Sequence, residues 1–202
     1  MSLAGRKKTN EKQEQILRAA GEVFAARDFH QVLMEEVAAG AGVGKGTLYR
    51  YFPTKEDLYF ATIFAGIDQL RGEIDGLMSR GESLQETLEG VAIGILRFLW
   101  SRRPLLSLLH QYEMRLCGPQ GAEWLQRRGA IVESIVGLFA RAAASGEIGP
   151  IDPRLAAELF LGMVRAANVY RTERDDPETL GRQLISVLMN GLRHEHRAQQ
   201  NV

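Results

Sequence analysis

Apolar residues return every three or four positions along almost the whole chain, and strict apolar–polar alternation is absent over any useful length. That period predicts helices and no sheet. The first predicted helix runs from about Glu11 to Ala26, with Ile16, Ala20, Val23 and Phe24 on one face. Asp28 is expected to end it in a left-handed turn. A short helix from about Met34 to Ala41 follows, with Met34, Val37, Ala38 and Ala41 inward, and Gly42 breaks it. A second short helix runs from about Lys45 to Tyr51, where Pro53 bars continuation. Thr54, with Asp57 three residues on, opens a long fourth helix from Lys55 to Met78 in a near capping box. Its inner positions are expected at Leu58, Ala61, Ile63 or Ile67, and Leu70.

The remaining pattern is punctuated by caps and prolines. Ser83 and Glu86 form a capping box for a fifth helix, which carries Leu88, Val91, Ile95 and Leu99 up to Arg103, before Pro104. A sixth is predicted from about Leu105 to Leu116, ending at Gly118-Pro119, and a seventh from about Ala122 to Ser145, ending at Gly146. Asp152-Pro153 and Asp176-Pro177 each place an N-cap before a first-turn proline. They open an eighth helix to about Tyr170 and a ninth to about Ala198. The fold class is therefore all-α, with about nine helices. A three-helix helix-turn-helix domain, residues 1–60, is expected to precede an antiparallel helical domain, residues 61–202, with the fourth helix shared as a hinge.

Composition narrows the partners. Of 202 residues 45% are apolar, enough for a buried core. The formal net charge is zero, which excludes a bulk polycation, so nucleic-acid binding must come from a local patch. All five lysines (Lys7, Lys8, Lys12, Lys45, Lys55) fall in the first 55 residues, but Glu11, Glu14, Glu35 and Glu36 offset them. The single cysteine, Cys117, excludes an intramolecular disulfide. No apolar leader or membrane-length apolar run stands out, so a cytoplasmic protein without a membrane partner is expected.

The chemistry concentrates between Gly42 and Leu58, in GVGKGTLYRYFPTKEDL. Two short helices around a glycine turn, locked by Val37, Val43 and Leu48, make a helix-turn-helix. The small residues Gly44, Gly46 and Thr47 let the second helix approach a groove wall, with its free amides facing phosphate. Thr47, Tyr49 and Tyr51 offer hydroxyls, Lys45 and Arg50 offer charge, and Lys55 opens the next helix beside them. Taken singly, each of these residues has a plainer reading as core or solvated surface; their order and spacing favour DNA. No phosphate loop, metal-spaced cluster or nucleophile elbow stands out, so neither an enzyme nor a cofactor is expected. His194 and His196 lie two apart and would point about 200° from each other on a helix, so no metal site is expected. An enzyme with scattered catalytic residues and a helical interaction protein without operator specificity are the rival classes.

The same stretch resembles the signature of the TetR/AcrR family of bacterial transcriptional repressors. That signature runs from an Ala-Gly-Val-Ser turn through Gly-Thr-Leu-Tyr and an aromatic-Phe pair to Ser-Lys-Glu. Asp28-Phe29 and Glu36-Val37-Ala38 extend the resemblance upstream, so that it covers about residues 12–60. Three positions depart from it: Leu33 stands where the family has Thr or Ser, Gly44 where it has Ser, and Gly40 interrupts the second helix. The resemblance implies that Lys45, Gly46, Thr47, Tyr49, Arg50, Tyr51 and Lys55 contact double-stranded operator DNA. Tyr49 and Lys55 would anchor phosphates, and Lys45 and Arg50 would read bases. Lys7 and Lys8 would extend an arm or simply fray.

Two further expectations lean on that resemblance. Apolar stripes on the eighth helix (Leu155, Leu159, Gly162, Met163, Ala166) and the ninth (Leu180, Leu184, Val187, Leu188, Gly191) would pair with their copies in a two-fold homodimer. Phe64, Trp100, His110, Tyr112, Met114 and Trp124 would line a cavity for an apolar or aromatic small-molecule inducer, with His110 and Tyr112 as polar anchors. Binding there would swing the two DNA heads through the fourth helix.

Overall fold

The structure is a computed structural model that describes residues 3–101 and 119–193, with backbone alone at 3–10, 119, 192 and 193. Among the described residues there are eight α-helices, one 3-10 turn and no strand. The helices are α1 (Leu3–Ala26), α2 (Met34–Gly40), α3 (Lys45–Tyr51), α4 (Lys55–Met78), α5 (Leu84–Ser101), α6 (Pro119–Ala144), α7 (Pro153–Tyr170) and α8 (Pro177–Arg193). The 3-10 turn, Phe29–Gln31, joins α1 to α2. The predicted sixth helix, over 105–116, lies outside the described residues, as do Cys117 and His194–His196. The predicted seventh, eighth and ninth helices are α6, α7 and α8.

Several boundaries differ from the sequence pattern for physical reasons. Helix α1 begins at Leu3 instead of Glu11. Residues of high helix propensity (Ala4, Arg6, Lys7, Lys8) extend it without an apolar face, so periodicity is blind to them. Helix α6 starts at Pro119, three residues before Ala122, because proline suits a first helical position. Asp28 is not left-handed. It is extended (φ −62°, ψ 147°) and precedes the 3-10 turn, which carries Phe29 into the interior.

Two compact units make up the described chain. One contains residues 3–68 together with Ser101 and 119–124. Its core is formed by Ile16, Ala20, Phe24, Phe29, Val37, Leu48, Leu58, Tyr59 and Ile63, all at most 5% exposed. Phe24 and Phe29 both meet the Tyr59 ring edge-on, at centroid distances of 5.2 and 5.0 Å. This cluster ties α1, the 3-10 turn and the start of α4 together. Gly40 sits at the end of α2, where a side-chain carbon would make only an ordinary contact with Ala19 at 3.7 Å.

The other unit contains Gln69–Trp100 and residues 125–193, so the division falls inside α4. Its core includes Ile74, Leu88, Val91, Leu96, Ile135, Phe139, Phe160, Val164 and Ile185. Caps fix the helix starts. Ser83 and Glu86 exchange hydrogen bonds (3.1 and 3.3 Å), and Asp152 and Asp176 each accept a backbone N–H at 2.8 Å. The Glu86 carboxyl is held below the usual range first by the Ser83 hydroxyl and then by the Ser83 amide. Glu147, in the turn after α6, accepts the Leu84 N–H at 2.9 Å and so closes the start of α5 from a distant part of the chain.

Gly181 lets α8 rest directly on α5. A Cβ there would lie 2.6 Å from Ile93 Cγ1 and 3.4 Å from the Ile93 backbone nitrogen. The backbone distance is an ordinary contact; the clash is with Cγ1, the first atom of a stiff β-branched side chain, which has little room to swing away. Gly181→Ala is therefore expected to lower unfolding free energy by about 1–3 kcal/mol. Gly72→Ala, where nothing lies within 4 Å, should leave stability unchanged or slightly raised. Denaturant unfolding of the two variants checks this, and equal midpoints would refute the close-packing assignment.

Candidate nucleic-acid interface

The two short helices of the first unit meet at a turn that only a permissive residue can make. Gly42 has φ +60°, and the Val43 N–H donates to the Ala38 carbonyl at 2.9 Å, closing the end of α2. Gly44 then caps α3 in an extended conformation (φ −71°, ψ 150°), and its carbonyl accepts from Thr47 and Leu48 at 2.9 and 3.1 Å. Leu48 is fully buried and Phe52 nearly so, and together they hold α3 against the core.

That anchoring decides which side chains remain available. Lys45, Gly46, Tyr49 and Arg50 are all exposed; Gly46 and Arg50 point away from Leu48, and Lys45 and Tyr49 flank that face on one side, while Thr47 and Tyr51 are half-buried on the other. Nothing lies within 4 Å of where a Gly46 side chain would start, so this part of the helix can approach another surface closely. The Arg50 guanidinium lies 5.5 Å from the Tyr51 ring centroid, which steadies it over the helix end. Six of the seven residues singled out from sequence thus lie together on one short helix.

Lys55 behaves differently. Its ammonium donates to the Val32 carbonyl at 3.1 Å and to the His30 carbonyl at 3.5 Å, and lies 4.5 Å from the Phe29 ring centroid. The side chain is half-buried and closes the 3-10 turn. It therefore has a structural task that sequence reading did not assign. Two of its three N–H groups point at carbonyls, which leaves one for an outside acceptor.

Sequence reading treated the acidic residues only as charge offsets, and the structure gives two of them partners. Glu35, on α2, forms an ion pair with Lys45 at 3.0 Å, with both side chains well exposed. Glu36 takes both guanidinium nitrogens of Arg27 at 3.1 Å and accepts the Leu33 N–H at 3.3 Å. The Leu33 side chain has no acceptor to offer in return, so the side-chain capping at the start of α2 runs one way only. The hydrogen bond from Lys45 is the largest effect holding the Glu35 carboxyl below its usual range; Arg27 does the same for Glu36. No spacing rule announces a pair ten residues apart across a turn.

The remaining candidates fall elsewhere. Phe64 is buried against Phe60 at a 6.0 Å centroid distance, and Trp124 is half-buried in the same unit. Trp100 belongs to the other unit, where Arg171 lies 4.4 Å over its ring and its buried Nε1 has no hydrogen-bond partner among the described residues. His110, Tyr112 and Met114 lie outside the described residues. On α7 and α8 the inward stripes are Ala156, Phe160 and Val164, and Ile185 and Met189. The predicted stripe faces elsewhere: Leu155, Leu159 and Val187 are 54, 49 and 67% exposed, and Met163, Leu184 and Leu188 are half-buried. Gly162 and Gly191 have nothing within 4 Å. Among the described residues no helix is long and apolar enough to cross a membrane, and no cluster of His, Cys, Asp and Glu could hold a metal ion.

Comparison with known proteins agrees with this layout. A family model described as "Bacterial regulatory proteins, tetR family" matches residues 16–62. A second, "Tetracyclin repressor-like, C-terminal domain", matches residues 81–192. The chain is 25% identical over 197 residues to the fatty acid metabolism regulator protein of Bacillus subtilis (strain 168), covering 94% of this chain and all of that one. It is 31% identical over 145 residues to the HTH-type transcriptional regulator RutR of Escherichia coli (strain K12), covering 71% of this chain and 67% of that one. Its structure is similar to that of FadR from Bacillus subtilis in complex with stearoyl-CoA, with a TM-score of 0.72 and 24% identity over 89% of this chain and 99% of that one.

Because Lys55 serves the fold, Lys55→Ala is expected to lower stability by about 1–2 kcal/mol through its lost charged hydrogen bonds and ring contact. Lys45→Ala, at an exposed site, should leave thermal unfolding nearly unchanged. Calorimetry on both variants tests the contrast, and an undisturbed Lys55→Ala protein would contradict it.

Proposed function

This chain belongs to the TetR family of bacterial regulatory proteins, and we propose that it is a homodimeric repressor released from a palindromic operator by a ligand bearing an apolar acyl chain. It is a DNA-binding transcriptional regulator by family. The observation that carries the reading is the exposed surface of α3, where Lys45, Gly46, Tyr49 and Arg50 are open while Leu48 is buried. A short helix pinned on one side, with cations, a hydroxyl and a bare glycine on the other, fits a major groove. In this reading Lys45 and Arg50 meet base edges, Tyr49, Thr47 and Tyr51 donate to phosphates, and Lys55 spends its remaining N–H on one phosphate.

Dimerisation is supported by the apolar face that α7 and α8 leave uncovered. Leu159 and Val187 are exposed, and the open flanks at Gly162 and Gly191 permit close approach of a second copy. A two-fold dimer presents two α3 helices to two half-sites of a palindrome. The DNA-binding part is assigned to residues 1–60 and the ligand-binding and dimerisation part to 61–202, with α4 passing between them.

The ligand class draws on the relatives: one is a fatty acid metabolism regulator, and a structural neighbour holds stearoyl-CoA. An acyl chain keeps the apolar character expected from sequence, although a thioester of coenzyme A adds a charged head. The buried indole nitrogen of Trp100, without a hydrogen-bond partner among the described residues, offers one donor to a polar group in the C-terminal half. Release requires that the ligand bind a conformer with lower DNA affinity more tightly than the DNA-bound one.

Electrophoretic retardation of a duplex selected from a random pool tests the whole scheme. The wild-type protein is expected to shift it, and stearoyl-CoA to reverse the shift. Leu159→Glu combined with Val187→Glu should give a monomer in sedimentation and weaken the shift at least tenfold, because one head alone loses the second half-site. A double variant that stays dimeric would reject the α7–α8 interface, and a shift indifferent to acyl-CoA would reject the ligand class.

A further inference from the structure

The surface formed by α2 and α3 carries a carboxylate whose only ionic partner among the described residues is Lys45, the first residue of α3. Glu35 projects from α2 and pairs with Lys45 at 3.0 Å, and the two side chains are 45 and 65% exposed. Between residues 1 and 68 the chain holds nine Lys and Arg and nine Asp and Glu, so this region has no surplus of positive charge to draw it to DNA. One engaged lysine therefore matters more here than on a basic surface. Resting on the DNA-binding reading, we propose that Glu35 is a specificity-determining residue that restrains Lys45 from sequence-independent phosphate contact.

The reasoning is electrostatic. An exposed ion pair is weak in water, so Lys45 can leave Glu35 when it gains a well-placed base-edge contact. Releasing Glu35 beside the polyanion costs the same at any sequence, but only the correct one supplies a base-edge acceptor to offset it. The exchange is thus repaid at the correct sequence and resisted elsewhere, which is discrimination by a repulsive element. Glu36 does not share the task, since Arg27 and the Leu33 amide hold it. The first-turn position of Glu35 also favours α2 through the helix dipole, which is the purely structural alternative.

Glu35→Gln removes the charge and keeps the shape. Affinities of the full-length wild-type, Glu35→Gln, Lys45→Ala and doubly substituted proteins are measured for a random-sequence duplex pool and for the duplex the wild type selects from it, across a salt series. Glu35→Gln is expected to bind the random pool several-fold more tightly, with a salt slope steeper by about 0.9, the value for one added phosphate contact. Selected-duplex affinity should change less, so the ratio of the two falls. In the Lys45→Ala background the Gln substitution should lose most of this effect. A change in thermal unfolding with no change in the ratio would assign Glu35 to the helix dipole and overturn the proposal. An equal gain with and without Lys45 would make Glu35 a lone repulsive charge and overturn it too. A wild-type protein that selects no duplex would overturn the DNA-binding premise itself, a result distinct from either.

Discussion

Seven residues are too few for a helix to persist alone in water, where roughly 12–15 are needed for even marginal stability. Helix α3 has that length, and it stands because Leu48 is completely buried and Phe52 nearly so. Every property of the interface follows from that burial. With Leu48 inward, Gly46 and Arg50 are turned away from the core, and Lys45 and Tyr49 lie exposed on the flank between. The glycine turn at Gly42 and the proline at Pro53 only set where the helix begins and ends. A slip of one position would rotate the helix by about 100° and turn the leucine out of the core.

The core of this unit is itself a built object. Phe24, Phe29 and Tyr59 come from three separate elements, and their edge-on packing joins α1, the 3-10 turn and α4. Lys55 completes the assembly by lying on Phe29 and holding the carbonyls of His30 and Val32. The same ammonium thus belongs to the fold and, in the functional reading, to a phosphate. A residue so placed transmits any disturbance of the aromatic cluster to the surface. The charges follow a similar economy: Arg27 with Glu36, and Lys45 with Glu35, settle most of the local charge of α2 and α3 within the protein. Affinity for a polyanion must then depend on a few contacts, which makes each one more discriminating.

The second unit shows how one amphipathic helix can carry two apolar faces. On α7 the sequence offers Leu155, Leu159 and Met163 beside Ala156, Phe160 and Val164, offset by a single residue. Only the second set is buried within the chain, because Phe160 and Val164 fill the core and the small Ala156 lets neighbouring helices close in. The same division recurs on α8, where Gly181 meets α5, Ile185 is buried and Val187 is exposed. Among the described residues, two faces on two packed helices leave one apolar surface exposed, a kind of surface that marks an interaction site on many proteins.

Much of this was legible along the chain. The helical period, the glycine at the left-handed turn, the prolines and the Asp and Ser caps act over three or four residues, so sequence order alone determined the all-α class, the helix-turn-helix and six of the seven residues gathered on α3. The start of α1 escaped because a helix held by propensity leaves no periodic trace. Other features depend on elements that meet only after folding. The Lys55 grip on His30 and Val32 spans more than twenty residues, and Glu35 finds Lys45 across a turn whose angle no local pattern encodes. Which of two adjacent apolar stripes goes inside was likewise decided by packing, since hydrophobicity states that a residue prefers burial but not which neighbour will bury it.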